Sequence, residues 1–131
     1  MFDKDGLLST VPELNPVFYD WTKVFVIYCD GSEHSGTRDD PVSYKDRMLY
    51  FRGYNNTMAQ FNFLDQHFDI FNADTLVITG VSAGGLATYF YSNYAYERAK
   101  KAKVYAIPDS GYFNTDYYSP IVGANIIKIA A

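Results

Sequence analysis

Ser82 and the glycines beside it are the residues of this chain best suited to covalent chemistry. They lie in the run T-G-V-S-A-G-G at 79–85, directly after the apolar run L-V-I at 76–78. A serine in a tight turn between a strand and a helix is held with its hydroxyl above the sheet, and glycines at 80 and 84 leave the backbone room to double back. The pattern therefore predicts an elbow at 79–85 that presents Ser82 as a nucleophile.

A glycine-rich turn of this kind has two other interpretations. It can be a plain connection between a strand and a helix, without chemistry, and the sequence leaves this alternative open. It can also be a dinucleotide-binding turn, but the G-x-G-x-x-G pattern requires its second glycine where this chain has Ser82. The dinucleotide interpretation is therefore disfavoured, and the sequence predicts neither a cofactor nor a metal site.

The residues that would activate Ser82 are harder to find. A serine hydroxyl needs a base to take its proton and a carboxylate to orient that base, and hydrolases with this elbow carry them in the order Ser, Asp or Glu, His. No histidine follows Ser82. His67 falls in an amphipathic segment, where a surface or packing role is expected. His34 lies in a loop that could line a pocket, but as the base it would break the order.

Two acidic residues follow Ser82 at candidate positions. Asp109 closes the strand after the elbow helix, whereas the usual catalytic acid follows a later strand. We therefore expect Asp109 to serve the turn, with its side chain bonded to nearby backbone N–H groups. Glu97 lies on a helix face beside Arg98 and is expected to be solvated.

Strands and helices are predicted to alternate around the elbow. Strands are expected at 24–28, 75–79 and 103–107, and helices from Asn56 or Thr57 to about Phe71 and from 83 to about 101. In the second helix, we expect a buried face at Leu86, Phe90 and Tyr94. This order of elements builds an α/β fold, in which helices flank a parallel sheet. The apolar tail at 121–131 is compatible with either a strand or a helix.

Composition limits the classes of protein and partner. The 131 residues are 48% hydrophobic and 18% aromatic, which suits one compact domain with a core. The net charge of −4 argues against nucleic acid and anionic membranes as partners. No apolar run approaches the roughly 20 residues that span a bilayer. The polar N-terminus is not a signal peptide, and the single cysteine, Cys29, cannot form a disulfide within the chain.

Five blocks of the sequence, in the same order, resemble those of the pectin acetylesterase and Notum-type carboxylesterase family. They extend over most of the chain, from about residue 15 to residue 114. The blocks are N-P-V-F-Y-D-W at 15–21, Y-C-D-G-S with S-G at 28–36, Y-F-R-G at 50–53, the elbow with the following leucine at 79–86, and D-S-G-Y-F at 109–113.

The resemblance implies an α/β-hydrolase fold, of which residues 1–131 would form part. It also implies a secreted esterase that removes an acetyl group from a polysaccharide such as pectin, or a palmitoleoyl group from a signalling protein. Ser82 matches the family's nucleophile. The backbone N–H of Ala83, the next residue, would then be one donor of the oxyanion hole.

The chain also departs from the family's pattern. The family's Gly-Gly-x-Trp oxyanion segment would precede Met1, and its catalytic acid and histidine would follow Ala131. Cys29 matches a cysteine that is usually bridged, and Val81 stands where some members have cysteine. We therefore expect the chain to be the central part of a larger domain and to be inactive alone. A non-catalytic module of the same fold, or another α/β-hydrolase such as a lipase or peptidase, remains an alternative.

Overall fold

The computed structural model describes residues 6–112. Its longer elements are the strands β1 (Val42–Tyr44) and β2 (Arg47–Leu49), helix α1 (Gly53–Phe68), strand β3 (Thr75–Val81), helix α2 (Ala83–Arg98) and strand β4 (Lys103–Asp109). Short 3-10 helices lie at Gly6–Leu8 and Ile70–Asn72. The apolar tail at 121–131 lies outside the described residues.

The unit β3–α2–β4 contains the elbow and agrees with the predicted order of strand, helix and strand. β3 and β4 pair in parallel, with Thr75 opposite Lys103 and Val81 opposite Asp109. Helix α2 packs against both strands. Because the two strands are in register, the carboxyl end of β4 lies beside the turn that joins β3 to α2. The chain thus has a mixed α/β arrangement in which two parallel strands support the turn at Ser82.

The strand predicted at 24–28 is not formed among the described residues. Residues 22–29 have no regular secondary structure, and Val24, Phe25 and Ile27 are 52%, 53% and 65% exposed. A β-branched and aromatic run prefers a pleated, half-buried surface, but it becomes a strand only when another strand pairs with it. Within residues 6–112, β3 and β4 pair only with each other and β1 pairs only with β2. The expectation was therefore wrong for this segment.

Helix α1 begins earlier than its sequence signal. It starts at Gly53, so Asn56 and Thr57 lie in its first turns and do not cap it, and no side chain provides a cap. The cap comes instead from the main chain, since the Tyr54 N–H donates to the Gly36 carbonyl over 3.0 Å. The helix ends at Phe68, because Asp69 adopts a left-handed conformation with φ 49°.

The hairpin of β1 and β2 was not anticipated from the sequence. Its strands pair antiparallel, with Val42 opposite Leu49 and Tyr44 opposite Arg47. The turn between them contains Lys45 at φ 54°. Such turns favour Asn or Gly at positive φ, so Lys45-Asp46 is a weak hairpin signal.

The buried face of α2 differs from the expected one. The buried residues are Gly85, Thr88, Tyr91 and Ala95, whereas Phe90 is 49% exposed. Three of these four residues are small, and at Gly85 the helix lies so close to β4 that a Cβ would be 2.4 Å from the Asp109 carbonyl oxygen. A search for large apolar residues overlooks such a face. Among residues 6–112, the buried hydrophobic residues are Phe71, Tyr91 and Ala95.

Aromatic rings connect α1 with α2. The Phe61 ring of α1 lies 5.9 Å from the Tyr91 ring and 5.3 Å from the Tyr94 ring, and 6.2 Å from the Phe71 ring after α1. Aromatic pairs at such distances add to the burial of their surfaces. No helix within residues 6–112 is both long enough and apolar enough to cross a bilayer.

Candidate active site

Ser82 occupies the turn between β3 and α2 and has a strained backbone. Its φ is 57° and its ψ is −113°, a region that L-residues rarely adopt and that costs about 1–3 kcal/mol. Two hydrogen bonds hold this conformation: the Ser82 N–H donates to the Asp109 carbonyl over 3.0 Å, and the Leu86 N–H donates to the Ser82 carbonyl over 3.0 Å. The side chain is exposed and does not cap α2. The hydroxyl is therefore free of the role that a serine before a helix usually has.

The glycines of the elbow have different roles. A Cβ on Gly80 would lie 2.5 Å from the carbonyl atoms of Gly84, which is far inside van der Waals contact. A Cβ on Gly84 would meet nothing within 4 Å. The motif alone does not distinguish these two glycines, but only Gly80 has no space for a side chain, and Gly84 matters because its backbone is what Gly80 approaches.

The start of α2 offers a site for negative charge. The helix begins at Ala83, and the first N–H groups of a helix have no acceptor within it. The helix dipole adds partial positive charge at the same end. The Ala83 N–H adjoins Ser82 in sequence, so a donor and a hydroxyl oxygen are presented by neighbouring residues.

His34 is buried and packs beside Tyr28 and helix α2. It is 8% exposed, has φ 60°, and its ring lies 4.8 Å from the Tyr28 ring. Its carbonyl accepts a hydrogen bond from the Tyr91 hydroxyl of α2. Among the hydrogen bonds of residues 6–112, none joins a histidine to Ser82. His67 is exposed on α1 with its ring 4.3 Å from the Phe63 ring, which suits a surface role.

Asp109 contributes to the turn after β4, chiefly through its main chain. Its carbonyl accepts the Ser82 N–H, and its carboxylate accepts the Ser110 hydroxyl over 2.8 Å. The sequence predicts a turn role for Asp109 in which its side chain bonds backbone N–H groups. The observed partner of the side chain is the neighbouring hydroxyl, and the bond to the elbow comes from the carbonyl. Glu97 is exposed on α2, as expected.

The polar loop at 30–36 lies within the block at 28–36, and its residues Ser32, His34 and Gly36 are buried; its internal hydrogen bonds were not predicted from the sequence. The Ser32 hydroxyl donates to the Asp30 carboxylate and accepts the Gly36 N–H over 2.9 Å. A Cβ on Gly53 would lie 2.5 Å from an Asp30 carboxylate oxygen and 2.7 Å from the His34 Cα. The loop therefore packs directly on the first residue of α1. The signal in the sequence was an aspartate two residues before a serine, a spacing typical of such turns.

The block at 15–21 is organised by the Asn15 side chain, which is 4% exposed. Its amide nitrogen donates to the carbonyls of Leu7 and Ser9 over 3.1 and 2.9 Å, and its amide oxygen accepts the Phe18 N–H over 3.1 Å. One buried amide thus satisfies three backbone groups. This block supports the fold of the N-terminal segment.

Burial shifts the pKa of two groups between the loop and α2. Burial lowers the pKa of His34, against the opposing effect of the negative charges of Asp30 and Glu33. Burial likewise raises the pKa of Tyr91. His34 is therefore packed as a neutral ring. Within residues 6–112, no cluster of three or more His, Cys, Asp or Glu residues is placed to hold a metal ion, and Cys29 is exposed as a free thiol.

Replacement of Gly80 and of Gly84 by alanine forms a matched pair that tests the close approach in the elbow. In the full-length protein, Gly80→Ala should lower the free energy of unfolding by about 1–3 kcal/mol, since the new methyl group overlaps the Gly84 backbone. Gly84→Ala should be neutral or stabilising by up to about 1 kcal/mol, because alanine favours the helix. Urea unfolding measures both values. Equal effects of the two substitutions would contradict the assignment.

His34 should make stability depend on pH. The lowered pKa means that the folded state binds the proton less readily than the unfolded state, so the stability that neutral His34 supports is complete above about pH 6.5 and is lost as the pH falls below it. The loss is at most about 1.4 kcal/mol per pH unit. Urea unfolding at pH 7.5 and 5.5 measures it.

The matched variants for this pH test are His34→Asn and His67→Asn. Asparagine tolerates positive φ, so His34→Asn keeps the backbone and removes the titrating ring. The difference in the free energy of unfolding between pH 7.5 and pH 5.5 should shrink in His34→Asn and persist in His67→Asn. If His34→Asn and the wild type show the same difference, His34 is not the group responsible.

Comparison with known proteins places these features in a family. The family model described as Pectinacetylesterase matches residues 1–126. The chain is 37% identical to pectin acetylesterase 5 of Arabidopsis thaliana over 109 residues, which cover 82% of this chain and 25% of that protein. It is 35% identical to pectin acetylesterase 4 of the same plant over 108 residues, with 82% and 26% covered.

A more distant relative is the palmitoleoyl-protein carboxylesterase NOTUM of Schmidtea mediterranea, at 29% identity over 115 residues, with 82% of this chain and 21% of that protein covered. The chain thus spans about a quarter of the length of the curated relatives it matches. The resemblance inferred from the five blocks is confirmed by the family match and the relatives together. The chain belongs to the pectinacetylesterase family.

Proposed function

We propose that this chain supplies the nucleophile of a serine carboxylesterase that removes acyl groups, and that acetyl groups on a polysaccharide such as pectin are its first substrates. The observation that carries the proposal is the strained backbone of Ser82, with φ 57° and an exposed hydroxyl that caps nothing. Strain of this kind persists where function requires it. The names of the relatives, pectin acetylesterase and palmitoleoyl-protein carboxylesterase, support ester hydrolysis.

In the proposed reaction, the Ser82 oxygen attacks the carbonyl carbon of the ester while its proton passes to a general base. The oxyanion that forms accepts a hydrogen bond from the Ala83 N–H at the start of α2. Collapse of this intermediate breaks the ester C–O bond, and the alcohol leaves with the proton from the base. Water then attacks the acyl-serine in the same manner and releases the acid.

The base in this scheme comes from residues other than His34 and His67. His34 is enclosed between Tyr28, Gly53 and Tyr91, and His67 is exposed on α1. We accordingly propose that β3, α2 and β4 are the central part of an α/β-hydrolase sheet whose further segments carry the base, its carboxylate and a second oxyanion donor. An extracellular location follows from a cell-wall polysaccharide as substrate, and it is part of the same proposal.

Ser82→Ala should abolish ester hydrolysis in the full-length protein. Loss of the nucleophile reduces kcat by on the order of 10⁶ in a serine hydrolase, so turnover of p-nitrophenyl acetate and release of acetate from pectin should fall to background. A fluorophosphonate probe should label the wild type and leave Ser82→Ala unlabelled. The alanine variant should keep the circular dichroism spectrum of the wild type.

Asp109→Asn is the control, because the bond from the elbow goes to the Asp109 carbonyl and not to its carboxylate. Its turnover should stay within about tenfold of the wild type, the effect of a loss of about 1.4 kcal/mol. A loss as deep as that of Ser82→Ala would make Asp109 the catalytic acid. More than a tenth of the activity left in Ser82→Ala would exclude Ser82 as the nucleophile, and no activity in the wild type would favour a non-catalytic module.

The length of the acyl chain distinguishes the substrate classes. With p-nitrophenyl esters of increasing chain length, kcat/KM should be highest for acetate and fall from butyrate onwards if a polysaccharide acetyl group is the substrate. The reason is that each additional methylene needs apolar space, worth about 0.8 kcal/mol when buried. A maximum at long chains would favour a lipidated protein, as in the NOTUM relative, or a lipase.

A further inference from the structure

The turn after β4 presses against the first turn of α2 at a pair of glycines. A Cβ on Gly111 would lie 2.4 Å from the carbonyl carbon of Gly85 and 2.8 Å from its Cα. A Cβ on Gly85 would lie 2.4 Å from the Asp109 carbonyl oxygen and 2.8 Å from the Gly111 Cα. Both residues are buried, and neither has a positive φ. Close approach of the two backbones is therefore the sole reason that the structure gives for glycine at these positions.

The same turn holds the nucleophile. The Asp109 carbonyl, which a Cβ on Gly85 would strike, is the acceptor of the Ser82 N–H over 3.0 Å. Ser110 adopts φ 51°, and its hydroxyl donates to the Asp109 carboxylate over 2.8 Å. This bond links the two side chains on either side of the peptide group that follows Asp109. Nearer the middle of the strands, the Thr79 hydroxyl donates to the Ile107 carbonyl over 2.8 Å.

We propose that the turn 109–111 is a positioning element for Ser82, and that the contact of Gly111 with Gly85 sets how closely the start of α2 approaches the Asp109 carbonyl. The proposal rests on the proposed function, since it concerns the orientation of the same hydroxyl. Gly85, Ser110 and Gly111 act through Ser82 and Ala83, so they are positioning residues rather than catalytic ones. Because Ser82 and Ala83 adjoin each other, one displacement of the helix moves the nucleophile and the oxyanion donor together.

The size of the effect follows from the distances. Ordinary contact between heavy atoms begins near 3.4 Å, so a methyl group at 2.4 Å forces the two segments apart by about 1 Å. A misplacement of 1 Å in an active site costs on the order of 10²-fold in rate. Binding of a small ester does not depend on these buried glycines. We therefore expect a loss in kcat with KM little changed.

The test measures kcat and KM for p-nitrophenyl acetate, and the rate of fluorophosphonate labelling, in full-length Gly85→Ala, Gly111→Ala and the double variant. Each single substitution should reduce kcat and the labelling rate about 10²-fold. The double variant should lose far less than the product of the two, because the first methyl group has already separated the segments. If the loss of kcat in the double variant equals the product of the two single losses, the two glycines act independently, and the proposed contact between them does not set the position of Ser82.

Ala95→Gly is the matched control. Ala95 is 0% exposed on the same helix but lies far along it from the elbow. Glycine there weakens α2, so Tm should fall while kcat of the folded protein stays at the wild-type value. If Gly85→Ala and Gly111→Ala also keep the wild-type kcat and differ only in Tm, their role is structural and the proposal fails.

Ser110→Gly keeps the proposal testable if the alanine variants do not fold. It introduces no clash, accepts φ 51° without strain, and removes the bond to the Asp109 carboxylate. We expect the loosened turn of Ser110→Gly to lower kcat several-fold with KM unchanged. Ser110→Ala also removes the bond and should have the same effect. Wild-type kcat in both variants would overturn the role of the turn.

Hydrogen exchange of the Ser82 amide separates this proposal from the proposed function. The bond to the Asp109 carbonyl should protect this amide in the wild type, and Ser110→Gly or Gly111→Ala should reduce the protection whether or not Ser82 is the nucleophile. If Ser82→Ala retains activity, the proposed function fails and the exchange result alone decides whether the turn positions residue 82. Unchanged protection in both variants would reject the positioning role.

Discussion

The hydrogen bond from the Ser82 N–H to the Asp109 carbonyl is the constraint on which the elbow depends. A backbone at φ 57° and ψ −113° is unfavourable for serine and persists only where neighbouring structure enforces it. Two strands maintain this backbone conformation: Ser82 directly follows β3, and the carbonyl that accepts its N–H belongs to the last residue of β4. Parallel pairing in register places the two strand ends side by side, and the packing of α2 on both strands closes the turn between them.

Local signals in the sequence were sufficient for this central unit. An apolar β-branched run followed by glycines, and a second such run after a helical segment, predicted β3, α2 and β4 close to their observed bounds. The signals failed where the deciding contact is distant in sequence. The run at 24–28 has the composition of a strand, but it belongs to neither sheet within residues 6–112. Helix α1 begins at Gly53 because the carbonyl of residue 36, and no side chain near residue 56, caps it.

At the candidate active site, too, local motifs were predicted from the sequence, whereas contacts between distant residues were not. G-x-S-x-G drew attention to Ser82 because the motif is contiguous, and it marked Gly80 and Gly84 as a symmetric pair. It gave no indication of Gly85 and Gly111, whose contact joins two elements far apart in the chain. His34 was weighed for the chemistry of its ring, yet its main-chain carbonyl is what reaches α2. Sequence patterns reveal side-chain types. The main-chain carbonyls of His34, Gly36 and Asp109 accept the deciding hydrogen bonds, and every residue has such a carbonyl, so the sequence does not indicate which ones are used.

In the proposed reaction, the nucleophile and one oxyanion donor lie on adjacent residues, and this has a consequence for catalysis. The Ala83 N–H belongs to the peptide unit that directly follows the Ser82 Cα, so its position relative to the Ser82 hydroxyl is set by the backbone conformation of Ser82 and by the rotamer of its side chain. Preorganised donors of this kind need no rearrangement as charge develops on the oxyanion. In the same proposal, a base from another segment would be held relative to the elbow only by noncovalent contacts. A substitution that displaces the elbow should therefore lower the rate by the same factor at every pH. A substitution that affects the base should instead change the shape of the pH–rate profile, so the pH profile of a variant distinguishes the two causes.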